Sequence, residues 1–216
     1  MLPLILIGAG VVTTIAGALR AKRESTLSPA PSGAGTITST ALRRTAQWAP
    51  LVDRLRGDIP AWLVLGHILA ESSGDPNRDA PVLTGQTLPE RGLMQMHPGT
   101  SQDLGLDHSR MYDPTYNIAA GIRMYQTYAK SLQARASFAS WDDLWRTAYF
   151  AFGVGPGRAY PYVQGKRGVT WYGVSNAIQA CCNAGKCNSF VCGRIKANET
   201  VWQAGHQIEA QARALV

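Results

Sequence analysis

The chain has 216 residues, enough for one sizeable domain with appendages. With 45% apolar and 16% charged residues, a wholly disordered chain is excluded. A net charge of +7 favours contact with anionic polymers or surfaces, but no tract of clustered Lys and Arg with interleaved aromatics occurs, which argues against nucleic-acid recognition.

The first segment, residues 1–23, reads "MLPLILIGAGVVTTIAGALRAKR", with no charge from residue 2 to residue 19. As a helix those residues would span about 27 Å, just enough for a bilayer core. Two readings compete. A signal peptide could be cleaved after Ala16-Gly17-Ala18, although basic residues before the apolar run are missing. A transmembrane anchor is preferred, because it explains Arg20, Lys22 and Arg23 after the run, where they would meet anionic headgroups. Residues 24–40, with 14 Ser, Thr, Gly, Ala or Pro in 17 positions, read as a flexible linker. The folded domain is expected over 41–216, its last part (about 161–216) being a Cys-rich extension.

The fold class is mainly α. Helices are predicted over 41–56, 60–73, 98–104, 114–135, 141–152, 171–181 and 198–214, with any sheet limited to a small hairpin near 82–92. In the second helix Asp58 is a candidate cap and Pro60 suits a first turn. Trp62, Leu65, Ile68 and Leu69 recur at helical spacing, so one face is buried. Gly74-Asp75-Pro76-Asn77 then stops the helix. Glu71 falls in the final turn, where the helix dipole and apolar surroundings disfavour ionisation, as a general acid requires. By itself the stretch is read more readily as an exposed surface glutamate in a final turn.

Three further segments carry chemistry. In "RGLMQMHPGT" (91–100), Gly92 allows a tight turn, Met94 and Met96 supply adaptable apolar surface, and Gln95 offers a donor and an acceptor. Pro98 and Thr100 would start the next helix. "YDPTYNIAAGIRMYQTY" places Asp113-Pro114 at a helix start, followed by Asn117; Ala120 and Gly121 read as packing positions. "AYFAFGVGPGRAY" is a helix ending in the loop Gly155-Pro156-Gly157.

In this order and spacing, Glu71-Ser72-Ser73-Gly74, Gly92-Leu93-Met94-Gln95, Asp113-Pro114 with Asn117-Ile118-Ala119-Ala120-Gly121, and Gly155-Pro156-Gly157 resemble the lytic transglycosylases with a soluble-lytic-transglycosylase-like (SLT) domain, in the lysozyme superfamily. The resemblance spans about residues 58–160. It implies a lysozyme-like domain that cleaves the β-1,4 bond between N-acetylmuramic acid and N-acetylglucosamine in peptidoglycan, with Glu71 as sole acid/base and a 1,6-anhydro product. No second carboxylate is needed, because the nucleophile is the substrate's own C6 hydroxyl. By resemblance Ser73, Met94 and Gln95 line the saccharide groove. His97, where the related goose-type hydrolases have Asp, is a further candidate contact, as is Asn117. The last family motif is usually Ala-Tyr-Asn-Ala-Gly. Here Ala151-Phe152-Gly153-Val154-Gly155 aligns with it, so Phe152 stands at a groove position without the hydroxyl, and Tyr149, one turn earlier, is the candidate replacement. Asp79 and Glu90, in the long connection, are the carboxylates a hydrolase would need.

Cys181, Cys182, Cys187 and Cys192 crowd into twelve residues. Bonding adjacent neighbours is strained, which leaves 181–187 with 182–192, or 181–192 with 182–187. A zinc site competes, but no Cys-x-x-Cys pair or nearby His supports it. Disulfides are preferred, with work outside a reducing cytoplasm. Val201, Ile208 and Leu215 form a heptad stripe expected to pack on the domain.

No metal or organic cofactor is implied. The expected partners are peptidoglycan glycan strands, a membrane through the N-terminal helix, and proteins of a virion or secretion complex. The expected location is membrane-anchored, acting in the periplasm or cell wall. A phage virion with an internal membrane ranks first, because the basic flank after the apolar run opposes simple insertion with the domain outside. A conjugation or secretion machine and a housekeeping periplasmic enzyme are the other settings. A muramidase-type hydrolase, or a sugar-binding or structural component with the same fold, are the alternative functions.

Overall fold

The computed structural model describes residues 40–82 and 87–214. The expected anchor and all but the last residue of the linker lie outside the described residues. Among the described residues no helix is long and apolar enough to cross a membrane.

The described chain is mainly helical. One helix expected over 41–56 is two, α1 (Thr40–Ala46) and α2 (Ala49–Leu55). Pro50 causes the break: it lacks an N–H and its ring would strike the carbonyl of residue 46, so it fits only a first turn. The Trp48 indole at the junction donates to the Gly74 carbonyl at 3.0 Å and so ties this corner to the end of the next helix.

That helix, α3 (Ala61–Ser72), starts at Pro60 rather than under an Asp58 cap. It was expected to bury one face. Instead Ala61 to Ile68 are all buried, the pattern of a helix surrounded on most sides. Four helices pack on it: α1, α2, α6 (Trp141–Val154) and α9 (Ser189–Ala214). α3 ends in Ser73, left-handed at φ 53°, whose N–H donates to the Leu69 carbonyl.

α4 (Pro98–Asp103) and α5 (Pro114–Gln133) begin at prolines, as expected; the Asp113 side chain caps α5 by accepting from the Thr115 and Tyr116 N–H groups. Ser140 caps α6 and Thr170 caps α8 (Trp171–Asn183). The loop expected at Gly155-Pro156-Gly157 instead starts a single turn, α7 (Pro156–Ala159). Residues 83–86 of the hairpin expected near 82–92 lie outside the described residues; around them the described residues carry isolated bridges, Asp79 with Arg91 and Arg91 with Met96, and one more joins Phe138 to Val169. The tight turn at Gly92, φ 77°, brings Arg91 back onto Met96 and leaves too few residues for a ladder.

α9 begins at Ser189, well before the expected 198. Asn188 caps it through the Val191 N–H, and the Cys182–Cys192 disulfide pins its second turn to α8. Together they override the helix-weakening Gly193. The second disulfide joins Cys181 to Cys187. All four cysteines are thus bonded, in the first of the two expected pairings, and none is left for zinc.

The C-terminal region is not an appendage. α9 runs against α3 with the two backbones in contact. A Cβ on Gly205 would sit 1.9 Å from the Trp62 carbonyl oxygen, and one on Gly66 would sit 2.3 Å from that of Val201. Val201 and Ile208 of the stripe are buried here, while Leu215 lies outside the described residues. A pocket of about 390 Å³ lies at the opposite end of α3 from Glu71, between Asp58, Lys130, Trp141 and Trp145.

Candidate active site

The last turn of α3 holds Glu71 with its side chain 23% exposed. Burial pushes its carboxyl above the ordinary glutamate range; the charge of Arg194 opposes this and that of Glu90 adds to it. Two side chains face Oε1. The Nε2 of His67, one turn earlier on the same helix, is 4.0 Å away. A guanidinium nitrogen of Arg194, from α9, is 3.8 Å away.

His67 is fully buried in an aromatic box. Phe152 packs edge-on at 4.2 Å between ring centres, with Tyr125 and Tyr149 both at 5.7 Å. Burial, reinforced by Arg194, lowers its pKa to about 3, so the imidazole is neutral wherever the protein works near neutrality. Its Nδ1 lies 2.5 Å from the Tyr125 hydroxyl. Where that hydroxyl donates, the imidazole proton sits on Nε2 and faces Glu71. The Tyr125 and Tyr149 phenols are both pushed up by burial and stay protonated. The charge of Arg194 acts on Tyr149 as well, opposing the effect of burial there. Arg194 is therefore the cation among the groups facing Glu71, set among neutral donors.

The second motif is a folded loop stapled from behind. Asn117 is 0% exposed and uses both ends of its amide: Nδ2 donates to the Arg91 and Met111 carbonyls, and Oδ1 accepts from the Met94 N–H at 2.8 Å. Its expected role as a sugar contact is corrected to that of a loop staple. Gly92 is required at this point, since a Cβ would lie 2.0 Å from the Met111 carbonyl oxygen. Met94 is likewise corrected: it is 0% exposed and fills the hollow left by Gly121, so it cannot lie under a sugar face.

Gln95, 5% exposed, donates both amide hydrogens to backbone, to the carbonyls of Arg78 and Gly92 at 2.8 Å each. Only its amide oxygen is left for a ligand. His97 caps α4 by accepting from the Gly99 N–H, a local structural task that ties up its Nδ1. Ser73 is exposed directly after the Glu71 turn. Ser73 and Gln95 (φ 43°) are the non-glycine residues with positive φ among the described residues. Backbone strain at both motifs persists because the surrounding structure holds these two turns in place. Asp79 accepts from the Tyr112 hydroxyl with both oxygens, at 2.7 and 2.9 Å.

Of the residues expected at the site, Glu71, Tyr149 and Phe152 gather around one point, with Ser73 beside it. Met94 and Asn117 form the wall behind, and His97 serves a helix start. Three residues went unnoticed in the sequence: His67, Tyr125 and Arg194. His67 had a usable signal, since it lies four residues before Glu71 and so on the same helix face. Tyr125 sits two turns after Asn117 on the face that also carries Gly121, a weaker cue. Arg194 had none.

The family model of the transglycosylase SLT domain matches residues 54–168, just over half of the chain. No curated protein matches. The match runs from α2 through the Glu71 turn and the Asn117 staple to the loop before α8, and leaves α8 and α9 beyond it. With the helical architecture and the largely buried Glu71 carboxyl in place, the chain belongs to the transglycosylase SLT domain family, lysozyme-like lytic transglycosylases that cleave glycosidic bonds of peptidoglycan.

Proposed function

We propose that the chain is a peptidoglycan lytic transglycosylase in which Glu71 is the sole acid/base. Its carboxyl donates a proton to the oxygen that bridges C1 of N-acetylmuramic acid to the next N-acetylglucosamine, and the bond from C1 to that oxygen breaks. The muramic C6 hydroxyl forms the new bond to C1. The Glu71 carboxylate takes the C6 hydroxyl proton, so a 1,6-anhydro ring closes and the enzyme returns to its starting form with no water consumed. The observation that carries this reading is the raised affinity of Glu71 for its proton, caused chiefly by burial. A carboxyl whose proton is held more tightly than an ordinary glutamate's, and which still has an exposed edge, can serve as acid first and base second.

Digestion of purified peptidoglycan by wild type and Glu71→Gln, with products weighed by mass spectrometry, tests the proposal. Anhydromuropeptides from wild type and none from the variant are expected. Wild-type turnover in Glu71→Gln would sink it.

A second reading, muramidase-type hydrolysis, is favoured by one observation: Glu90 is near enough for its charge to be felt by Glu71. Reducing-end sugars in the same digest would identify it. Sugar binding without product release would identify a non-catalytic module. The two disulfides support work outside a reducing compartment. The virion-membrane setting rests on the N-terminal sequence alone, and fractionation of the full chain with membranes tests its anchor.

A further inference from the structure

We propose that Arg194, supplied by the C-terminal helix from beyond the family-matched region, is the positioning residue of Glu71. It occupies the space opened by Gly153 and orients the carboxyl that performs the cleavage. The inference rests on the reading of Glu71 given above.

Four observations converge on it. First, the guanidinium lies 3.8 Å from Glu71 Oε1, and its charge is also felt by Tyr149, so it stands between the carboxyl and the α6 wall. Second, its position depends on a missing side chain. A Cβ on Gly153 would sit 2.8 Å from the Arg194 Nε and 2.9 Å from both its Cδ and its Cζ. Any residue but glycine there displaces the guanidinium. Third, the side chain is only 25% exposed and its planar head lies 4.9 Å from the Phe190 ring, which restricts its rotamers further. Fourth, the backbone that carries it is fixed. Cys192, two residues before, is bonded to Cys182, and α9 is pressed onto α3, the helix of Glu71.

Position 153 lies in the motif where the family usually has asparagine, so a polar group lost from α6 is matched by one arriving from α9. The chemical consequence follows from charge. Between donating and regaining its proton, Glu71 is a carboxylate in a half-buried site, and that form needs a nearby cation. The groups facing it are His67 from its own helix, Tyr125 from α5, Tyr149 from α6, Arg194 from α9 and Glu90 from the connection before Gly92. The two tyrosines and His67 are neutral near pH 7, and Glu90 repels. Arg194 supplies the stabilising charge and limits how tightly the acid holds its proton.

The test is the pH dependence of muropeptide release from purified peptidoglycan, measured for Glu71→Gln, Arg194→Gln, Arg194→Lys, Gly153→Ala and, as a surface control on the same helix, Lys196→Gln. Thermal melts check each variant's fold. Arg194→Gln is expected to release product roughly 10- to 100-fold more slowly, the scale of a misplaced catalytic group. The alkaline limb of its kcat/KM profile should move to higher pH, because the acid then keeps its proton longer. Arg194→Lys should restore the limb's position better than the rate. Gly153→Ala should move the limb in the same direction as Arg194→Gln, since the clash falls on a flexible side-chain end and leaves the backbone alone.

An unchanged rate and profile in folded Arg194→Gln overturns the proposal, as does a slower rate with an unmoved limb, which would make Arg194 only a brace. A faster rate overturns it too, by making Arg194 an inhibitor. Should Arg194→Gln fail to fold, Gly153→Ala decides alone. Activity in Glu71→Gln would instead show that the reading of the site itself fails.

Discussion

The contact of α9 with α3 predicts that one substitution made twice on the same helix has opposite effects. In Gly205→Ala the new methyl would lie 1.9 Å from the Trp62 carbonyl oxygen and 2.7 Å from its carbonyl carbon, both backbone atoms inside α3. Neither can rotate away. The two helices must separate by more than an ångström, which weakens dispersion contacts along a seam that includes Trp62, Val201 and Ile208. Overpacking of this kind costs about 3 kcal/mol. For a domain of this size that is a fall in Tm of roughly 6–12 °C. Gly193→Ala meets nothing within 4 Å. There the methyl only narrows the unfolded ensemble and improves helix propensity, a gain of about 0.5–1 kcal/mol. Melts followed by circular dichroism at one scan rate should therefore diverge, Gly205→Ala falling and Gly193→Ala rising. A Gly205→Ala protein as stable as wild type, or two shifts of the same sign, would refute the close approach of these backbones.

Further outcomes follow from the supporting structure. Asn117→Ala removes the acceptor for the Met94 N–H and both donors to the Arg91 and Met111 carbonyls. It should cost about 2–4 kcal/mol in urea titrations, because buried backbone groups lose their partners. Replacing Cys182 and Cys192 together by serine opens a short loop and should cost about 2–3 kcal/mol; wild type melted in reductant should move towards the same value. His67 has a folded pKa of about 3 against an ordinary 6.5. The unfolded chain therefore binds the extra proton, and the stability due to the neutral, buried ring is complete above pH 6.5. It is lost as pH falls towards 3, at up to about 1.4 kcal/mol per unit. Urea midpoints from pH 7 to pH 4 read this slope together with that of His206, whose burial lowers its pKa to about 4, and a His67 imidazole NMR signal that titrates near 6.5 would contradict it.

How much of this was legible depended on where the signals lay. Capping and proline chemistry are local, so the starts of α4, α5 and α6 could be read from Pro98, Asp113-Pro114 and Ser140-Trp141. The break before α2 was in principle just as legible from Pro50, but helical spacing on either side concealed it. Burial was harder. One apolar face was expected on α3, yet Gly66 and Gly205 let α9 approach from the other side, and no local pattern announces such a pairing. The same non-locality explains the site. Glu71 lies within a short motif, whereas Met94 and Asn117 belong to motifs whose residues hold the loop and not the ligand. Spacing identifies a motif without saying which of its members faces outwards. Arg194 reaches Glu71 only through the packing of a helix that starts far along the chain, so Gly153 read as a lost asparagine when it is also a space provided for a different side chain.

The hydrogen-bond partners around the site bear on transfer against hydrolysis. A hydrolase needs a second carboxylate free to activate water. Asp79 is a poor candidate, since both its oxygens accept from Tyr112 and its remaining neighbour is Arg91 at 3.9 Å. Glu90 is left, and its charge has a definite sign of action: it raises the proton affinity of Glu71. In a transglycosylase, Glu90→Gln therefore has one main effect, moving the alkaline limb of kcat/KM to lower pH, opposite to the shift expected for Arg194→Gln. The product stays an anhydro sugar and turnover at pH 5 stays within about threefold, since only a modest electrostatic influence is removed. In a hydrolase the same substitution removes the group that activates water and costs at least about a hundredfold at every pH. Two pH profiles and one product mass thus separate the mechanisms, and a large, pH-independent loss in Glu90→Gln would overturn the single-carboxylate chemistry assigned to Glu71.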